Sequence, residues 1–249
     1  MIPLRVTAYL ATPPVFSDDT WLPLDALIAG LLFERFGGSG NPAAAQRAMS
    51  EVPLARQGEV FQGSAAFCET LAFPCPAPFR KGLSLSDLNA GLARVDLPTV
   101  AGKPGKIGKI DVLGGEYRTT VESYRAYRTP KVYWFGCGDA DAVRDILSDL
   151  PYAGIGKKRR QGYGQVSDVR VETDSEDRSL SILRNGRRYA MRPIAVDLWS
   201  SLYEDLPVHL GVTTDRFPYF NAARRVCAVP PTREVFWKKH DTAFTFGEA

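Results

Sequence analysis

Four consecutive cations, Lys157, Lys158, Arg159 and Arg160, stand between two glycine pairs, Gly154/Gly156 and Gly162/Gly164, and Tyr163 lies inside the second pair. Glycine permits positive φ and a close approach of backbone to ligand, and successive amides in such a turn can form an anion-binding nest. The cations add the charge that a polyphosphate needs, and a tyrosine ring offers a face on which a base can stack. Nucleic-acid binding is the chemistry these residues fit. The same segment would also serve as a solvated charge run whose glycines merely close a helix and start a strand. Two other nucleotide loops are excluded by pattern. A P-loop needs Gly-x-x-x-x-Gly-Lys-Ser/Thr, and a dinucleotide loop needs Gly-x-Gly-x-x-Gly after a strand, where Arg159 occupies the third glycine's place.

Elements on either side must hold this loop. Asp139 and Asp141 open a stretch in which Val143, Ile146, Leu147 and Leu150 share a face, which predicts a helix over 139–150. A strand over 165–173 follows the loop. Upstream, Leu4–Leu10 reads as a first strand, and a helix starts at Leu24 after a short Pro-rich linker. Val60–Phe67 is a candidate second strand. Lys131–Phe135 is dense in strand formers, and Gly136-Cys137-Gly138 after it reads as a tight strand-to-helix turn. The resulting order, βαββαβ, predicts an α+β, ferredoxin-like (RRM-like) fold with helices over one face of an antiparallel sheet. Residues 73–79 and 37–41 read as irregular linkers. Asn185-Gly186 signals a hairpin whose arginines either touch RNA or keep an edge strand soluble. Trp199, Tyr203, Phe217, Tyr219, Phe220, Phe236 and Trp237 are core or subunit-contact positions.

A second basic stretch lies in the middle of the chain. Lys103, Lys106 and Lys109 are spaced through a Gly/Pro-rich segment, and Ile110–Leu113 and Tyr117–Tyr124 flank Gly114-Gly115 as a second hairpin carrying Arg118. The run Tyr124, Arg125, Ala126, Tyr127, Arg128 alternates rings with cations, which suits stacking on bases while meeting phosphates. An ordinary solvated hairpin with its tyrosines packed on the sheet fits equally well. The formal net charge is only +3, yet the windows 101–131, 154–170 and 184–192 are all basic, so the remainder is acidic. Such a distribution suits a chain that holds RNA on some surfaces and protein neighbours on others.

At 249 residues the chain can bury a sizeable core as one large domain or two small ones. No apolar run approaches a bilayer span and the N-terminus lacks a signal pattern, so a cytoplasmic protein without membrane contact is expected. Cys68, Cys75, Cys137 and Cys227 form no Cys-x-x-Cys pair and histidines number two, so no metal and no cofactor are expected, and the thiols should be reduced and mostly buried.

The pattern Gly-hydrophobic-Gly, five residues, Gly-hydrophobic-Gly, then a strand, resembles the glycine-rich loop of the CRISPR RAMP proteins. The first strand with the following "LDALIAGLL" resembles the start of the Cas-five-type subunits of the Csf group in type IV effectors. The likeness covers roughly 1–36 and 131–173. It implies a RAMP domain over 1–175, with an inserted hairpin at about 101–130 whose 103–128 part would be the thumb that bends over the guide. A β-rich extension, 176–249, would pack on that domain. It also implies a non-catalytic subunit that grips the 5′ handle of the guide RNA (crRNA) and caps the filament of the backbone-forming subunit. The large subunit and target DNA beside the protospacer would be further contacts. RNA would be held by Gly154, Gly156, Lys157, Lys158, Arg159, Arg160, Gly162, Tyr163 and Gly164, and by Lys103, Lys106, Lys109, Arg118, Tyr124, Arg125, Tyr127 and Arg128.

Two readings of other classes remain open at this point. Related RAMP proteins include metal-independent endoribonucleases, which need a general base near the ribose 2′-hydroxyl. His209 and His240 lie outside the glycine loop and the first helix, and Tyr163 with Lys157 or Lys158 would need strong activation. The third reading is a scaffold whose basic windows meet acidic protein surfaces without RNA affinity.

Overall fold

The alternation of apolar residues along the first strand sets up the core. In the computed structural model, which describes residues 1–16, 22–69, 74–81, 99–100, 103–104, 120–216, 219, 224–230, 235–236 and 245–246, β1 (Ile2–Leu10) turns Leu4, Val6 and Ala8 to one face, all fully buried. α1 (Leu24–Arg35) packs Leu24, Ile28, Leu31 and Leu32 onto that face. After α2 (Ala44–Ser50) come the short strands β2 (Arg56–Gln57), β3 (Val60–Phe61) and β4 (Phe67–Cys68). The strand expected over 60–67 is therefore two pieces. β3 pairs with β2, and only β4 joins the main sheet. Gly63 between them makes a single bridge to Gly136, which breaks the run.

Residues 75–125 form a compact unit of their own, separate from the unit made by 1–74 and 126–249. Within this stretch, β5 (Pro74–Lys81) and β8 (Thr120–Tyr127) form a two-stranded sheet, and β6 (Thr99–Val100) pairs with β7 (Lys103–Pro104). Residues 74–79, expected to be linker, are thus strand: a proline at a strand start or edge removes one ladder donor without preventing pairing. The pairing of β8 also differs from expectation, since 120–127 pairs with 74–81. The Gly114-Gly115 turn and the 110–113 strand lie outside the described residues.

β9 (Lys131–Gly138) continues through Gly136-Cys137-Gly138, which are strand rather than the expected turn. The reason is steric. A Cβ at Gly136 would meet the side chains of Leu24 and Leu4, and one at Gly138 would meet the backbone of Pro53 and Leu54, so the strand runs on where neighbouring chain passes close. β9 is buried on both faces: Val132 and Trp134 face the helices, while Tyr133 and Phe135 pack with Ala65, Phe67 and Met191. This explains its nearly continuous apolar sequence.

α3 (Ala140–Leu147) starts at Asp139, whose carboxylate accepts from the amides of Asp141 and Ala142 at 3.0 and 3.1 Å. The short helix α4 (Leu150–Ala153) then leads into the glycine loop, and β10 (Val166–Thr173) leaves it. The main sheet runs β10-β1-β9-β4 with β1 antiparallel to both neighbours and β4 antiparallel to β9. β16 (Val235–Phe236) and β17 (Thr245–Phe246), following the strands below in sequence, extend it, β16 lying parallel to β4.

The remainder of the chain adds small sheets. β11 (Ser181–Arg184) and β12 (Arg187–Ala190) form the hairpin expected at Asn185-Gly186, both turn residues having positive φ. β13 (Ile194–Ala195), α5 (Val196–Leu202), β14 (Leu210–Thr213) and β15 (Arg225–Ala228) enclose Trp199 with Val60, Leu180, Ile194 and Ala228.

Candidate nucleic-acid interface

The sequence between β1 and α1 supplies the bed of the glycine loop. Pro13 and Pro14 lack amide donors and have fixed φ, so this segment presents carbonyls in extended geometry. Gly164 donates to the Pro13 carbonyl at 3.0 Å, Lys157 to that of Val15 at 2.6 Å and Tyr127 to that of Pro14 at 2.9 Å. Across the loop Ile155 donates to Gly164 at 2.8 Å, which closes its neck. Lys158 takes the left-handed conformation and Arg159–Gln161 makes one 3-10 turn.

These bonds correct one expectation. The amides of Gly154, Gly162 and Gly164 donate to Leu150, Arg159 and Pro13, so these three glycines offer no anion nest. Their use is close packing: a Cβ at Gly164 would overlap the Ile155 carbonyl oxygen, and one at Gly156 would overlap that of Val15. What the loop presents outward is side chains. Lys157, Arg159 and Arg160 are exposed, and Lys158 and Tyr163 are half-buried. Arg159 also donates to the Ala153 carbonyl at 3.2 Å, at the C-terminal end of α4 where a cation is favoured.

Two clefts flank Arg159. One, of about 440 Å³, lies between α1 and the loop, with Leu27, Gly30, Leu31 and Phe33 on one side and Gly156, Lys157 and Arg159 on the other. The second, of about 220 Å³, is bordered by Ala11, Tyr152, Arg159, Tyr163 and Gln165. The wall made by α1 is fixed by Arg35, which pairs at 2.7 Å with Asp145 of α3 and with Asp149, the residue before α4. The hydrogen bonds it donates to Asp149 and then Asp145 raise its pKa above the usual arginine range.

A buried polar knot fixes the other end of α1. Arg192, fully buried, donates to Asp25 at 3.0 Å, to the carbonyls of Phe61, Gly63 and Asp215 at 2.6, 3.0 and 3.0 Å, and to the Tyr219 hydroxyl. Tyr219 in turn donates to Asp25 at 2.5 Å. Burial opposes the charge on Arg192, but Asp25 and Tyr219 outweigh it and raise its pKa. Burial, with Asp25 adding to it, keeps Tyr219 protonated well above the ordinary tyrosine range.

The other expected RNA contacts divide. Arg192 is inside the protein, and Arg188 stacks on Tyr203 at 4.5 Å and pairs with Asp205 at 3.6 Å, so two of the four arginines around the hairpin are structural. Tyr127 is buried with its ring 5.5 Å from Phe16, so it packs the interior and cannot stack on a base. Tyr124 is half-buried and Arg128 exposed. Lys103 lies on β7, whereas Lys106, Lys109 and Arg118 fall outside the described residues, as does the side chain of Arg125. The structure therefore gathers 154–164 into one site.

The loop between a short helix and β10, seated on the segment that follows β1, is accompanied by a match to a family model over residues 2–225. That model is described as CRISPR type IV associated protein Csf3. The chain belongs to this family. Membership ties it to type IV CRISPR systems, and the resemblance read from 1–36 and 131–173 holds over nearly the whole length. No curated protein matches the chain. Among solved structures, it is similar to a chain in "Cryo-EM structure of the Type III-B Cmr-beta bound to cognate target RNA", with 14% identity and a TM-score of 0.34. The likeness covers 69% of this chain and 61% of that one, so this Csf3-family chain spans less than two thirds of it. Among the described residues, no helix is long and apolar enough to cross a membrane.

Proposed function

We propose that this Csf3-family protein is a non-catalytic, cytoplasmic RNA-binding subunit that grips the 5′ handle of the guide RNA. The observation that carries this reading is the run Lys157–Arg160 on a loop whose main chain is bonded to Pro13, Val15 and Gly164, with Lys157, Arg159 and Arg160 exposed and Lys158 half-buried. Fixed cations meet phosphates at little ordering cost, and single-stranded RNA exposes base edges to adjoining clefts. The order β10-β1-β9-β4, with α1 after β1 and α3 after β9, supports a ferredoxin-like RAMP fold as the frame. In this reading the subunit caps the filament of the backbone-forming subunit, meets the large subunit, and contacts target DNA beside the protospacer.

The experiment is charge reversal. Exchanging Lys157, Lys158, Arg159 and Arg160 for glutamate should weaken RNA binding and flatten the slope of log affinity against log salt by about 3, from roughly 0.7 per lost phosphate contact on a single strand. An unchanged slope removes the loop from the RNA site.

A further inference from the structure

Gly30 lies in the middle of α1, where glycine is the poorest ordinary helix former. Its φ is not positive, and among the described residues nothing stands within 4 Å of the place a Cβ would take. Neither turn geometry nor packing accounts for it. Gly30 faces the 440 Å³ cleft, so the missing side chain enlarges that cleft. On this side the lining is apolar: buried Leu27 and Leu31, and the half-buried ring of Phe33, with Phe16 beside them. Lys157 and Arg159 stand on the opposite wall, and Glu34 is the one carboxylate among the described residues of the lining.

A cleft of this volume falls toward the lower end of the roughly 300–1,000 Å³ that small-ligand sites occupy. A single flat heteroaromatic group is within this size. The opposed walls also give it polarity. An anion is drawn to Lys157 and Arg159 and repelled by Glu34, while a ring is accepted by the leucines and phenylalanines.

We propose that this cleft takes a single unstacked nucleotide of the RNA, its base entering against α1 where Gly30 leaves room and its phosphate meeting Lys157 and Arg159. This rests on the RNA reading of the loop. Glu34 then accepts from an exocyclic amine, so adenine, cytosine or guanine is held better there than uracil, which has none.

The test fills the space from the protein side. In Gly30→Leu a side chain extends into the open cleft without disturbing the loop's cations. The full-length chain should retain its fold and lose roughly tenfold to a hundredfold in affinity for a repeat RNA, the range of one stacked base. Its salt slope should change by no more than one contact, about 0.7. A series of repeat RNAs, each with one abasic nucleotide, should cost the wild-type chain affinity sharply at one position, and Gly30→Leu should lose nothing further there. Gly30→Ala, which adds one carbon and a better helix former, should melt higher and bind slightly less tightly. Equal binding by Gly30→Leu and wild type, or indifference to every abasic position while wild-type binding stays salt-sensitive, overturns the cleft alone. Failure of the wild-type chain to bind RNA at any salt overturns the RNA reading and the cleft with it.

Discussion

At the residue scale, the loop's glycines and cations have different tasks. Gly156 and Gly164 let two strands of backbone pass where no side chain fits, whereas Gly162 has open space around it and only a positive φ of 85°. Gly162→Ala should therefore cost about 1 kcal/mol, the penalty of a left-handed conformation for an L residue. Gly164→Ala forces the loop apart and should cost more than about 2 kcal/mol. Denaturant titrations of the two variants measure the difference; equal losses would mean that conformation alone, and not the contact with Ile155, selects the glycines. The spacing of these residues was legible in the sequence, and so was the charge. Their division of labour was not, because an amide's partner depends on the segment 13–16, more than a hundred residues away in the chain. Tyr127 failed as a stacking candidate for a similar reason: alternation of rings and cations says nothing about which ring meets Phe16 in the interior.

At the scale of elements, α1 is the part on which the site depends most, since it forms one wall of the larger cleft and is anchored at both ends. Arg35 ties its C-terminal end to α3 and to the residue before α4, and the Asp25–Arg192–Tyr219 knot ties its first turn to the segments around β3, β12 and β14. Arg192→Met strands Asp25 in the interior, and removal of one partner of a buried pair costs about 3–5 kcal/mol. Arg192→Lys should recover less than half of that, because one ammonium cannot serve Asp25, Tyr219 and three carbonyls at once. Urea unfolding of both variants checks this, and a loss below 1 kcal/mol for Arg192→Met would show that the knot is solvated or replaceable. Nothing in the local sequence marks Arg192 as buried: it follows a hairpin whose Arg187 is exposed, and its partners come from three other segments, at Asp25, Phe61–Gly63 and Asp215–Tyr219. Several helices and long strands, by contrast, were readable in the sequence, as β1, α1, α3 and β10 show, whereas the proline-rich β5 was read as linker. Short strands escaped because two-residue pairings such as β4 with β9 are set by the neighbour and carry no period of their own.

At the scale of the whole molecule, the net charge of +3 understates a basic surface that is local. Arg5 with Glu172, Arg144 with Asp141 and Arg170 with Asp168 pair much of the charge on the main unit, while three cations of the loop stay exposed. Membership of the Csf3 family gives the protein its CRISPR setting, and the proposed hold on RNA rests on the cation-bearing loop beside two clefts. The most direct test is to mix the purified full-length chain with a labelled repeat RNA in EDTA, and to follow binding and cleavage on the same gels across a salt series. Binding of intact RNA that weakens steeply with salt is the predicted result. No binding at low salt, or a defined cut that persists in EDTA, would contradict a non-catalytic RNA-gripping subunit.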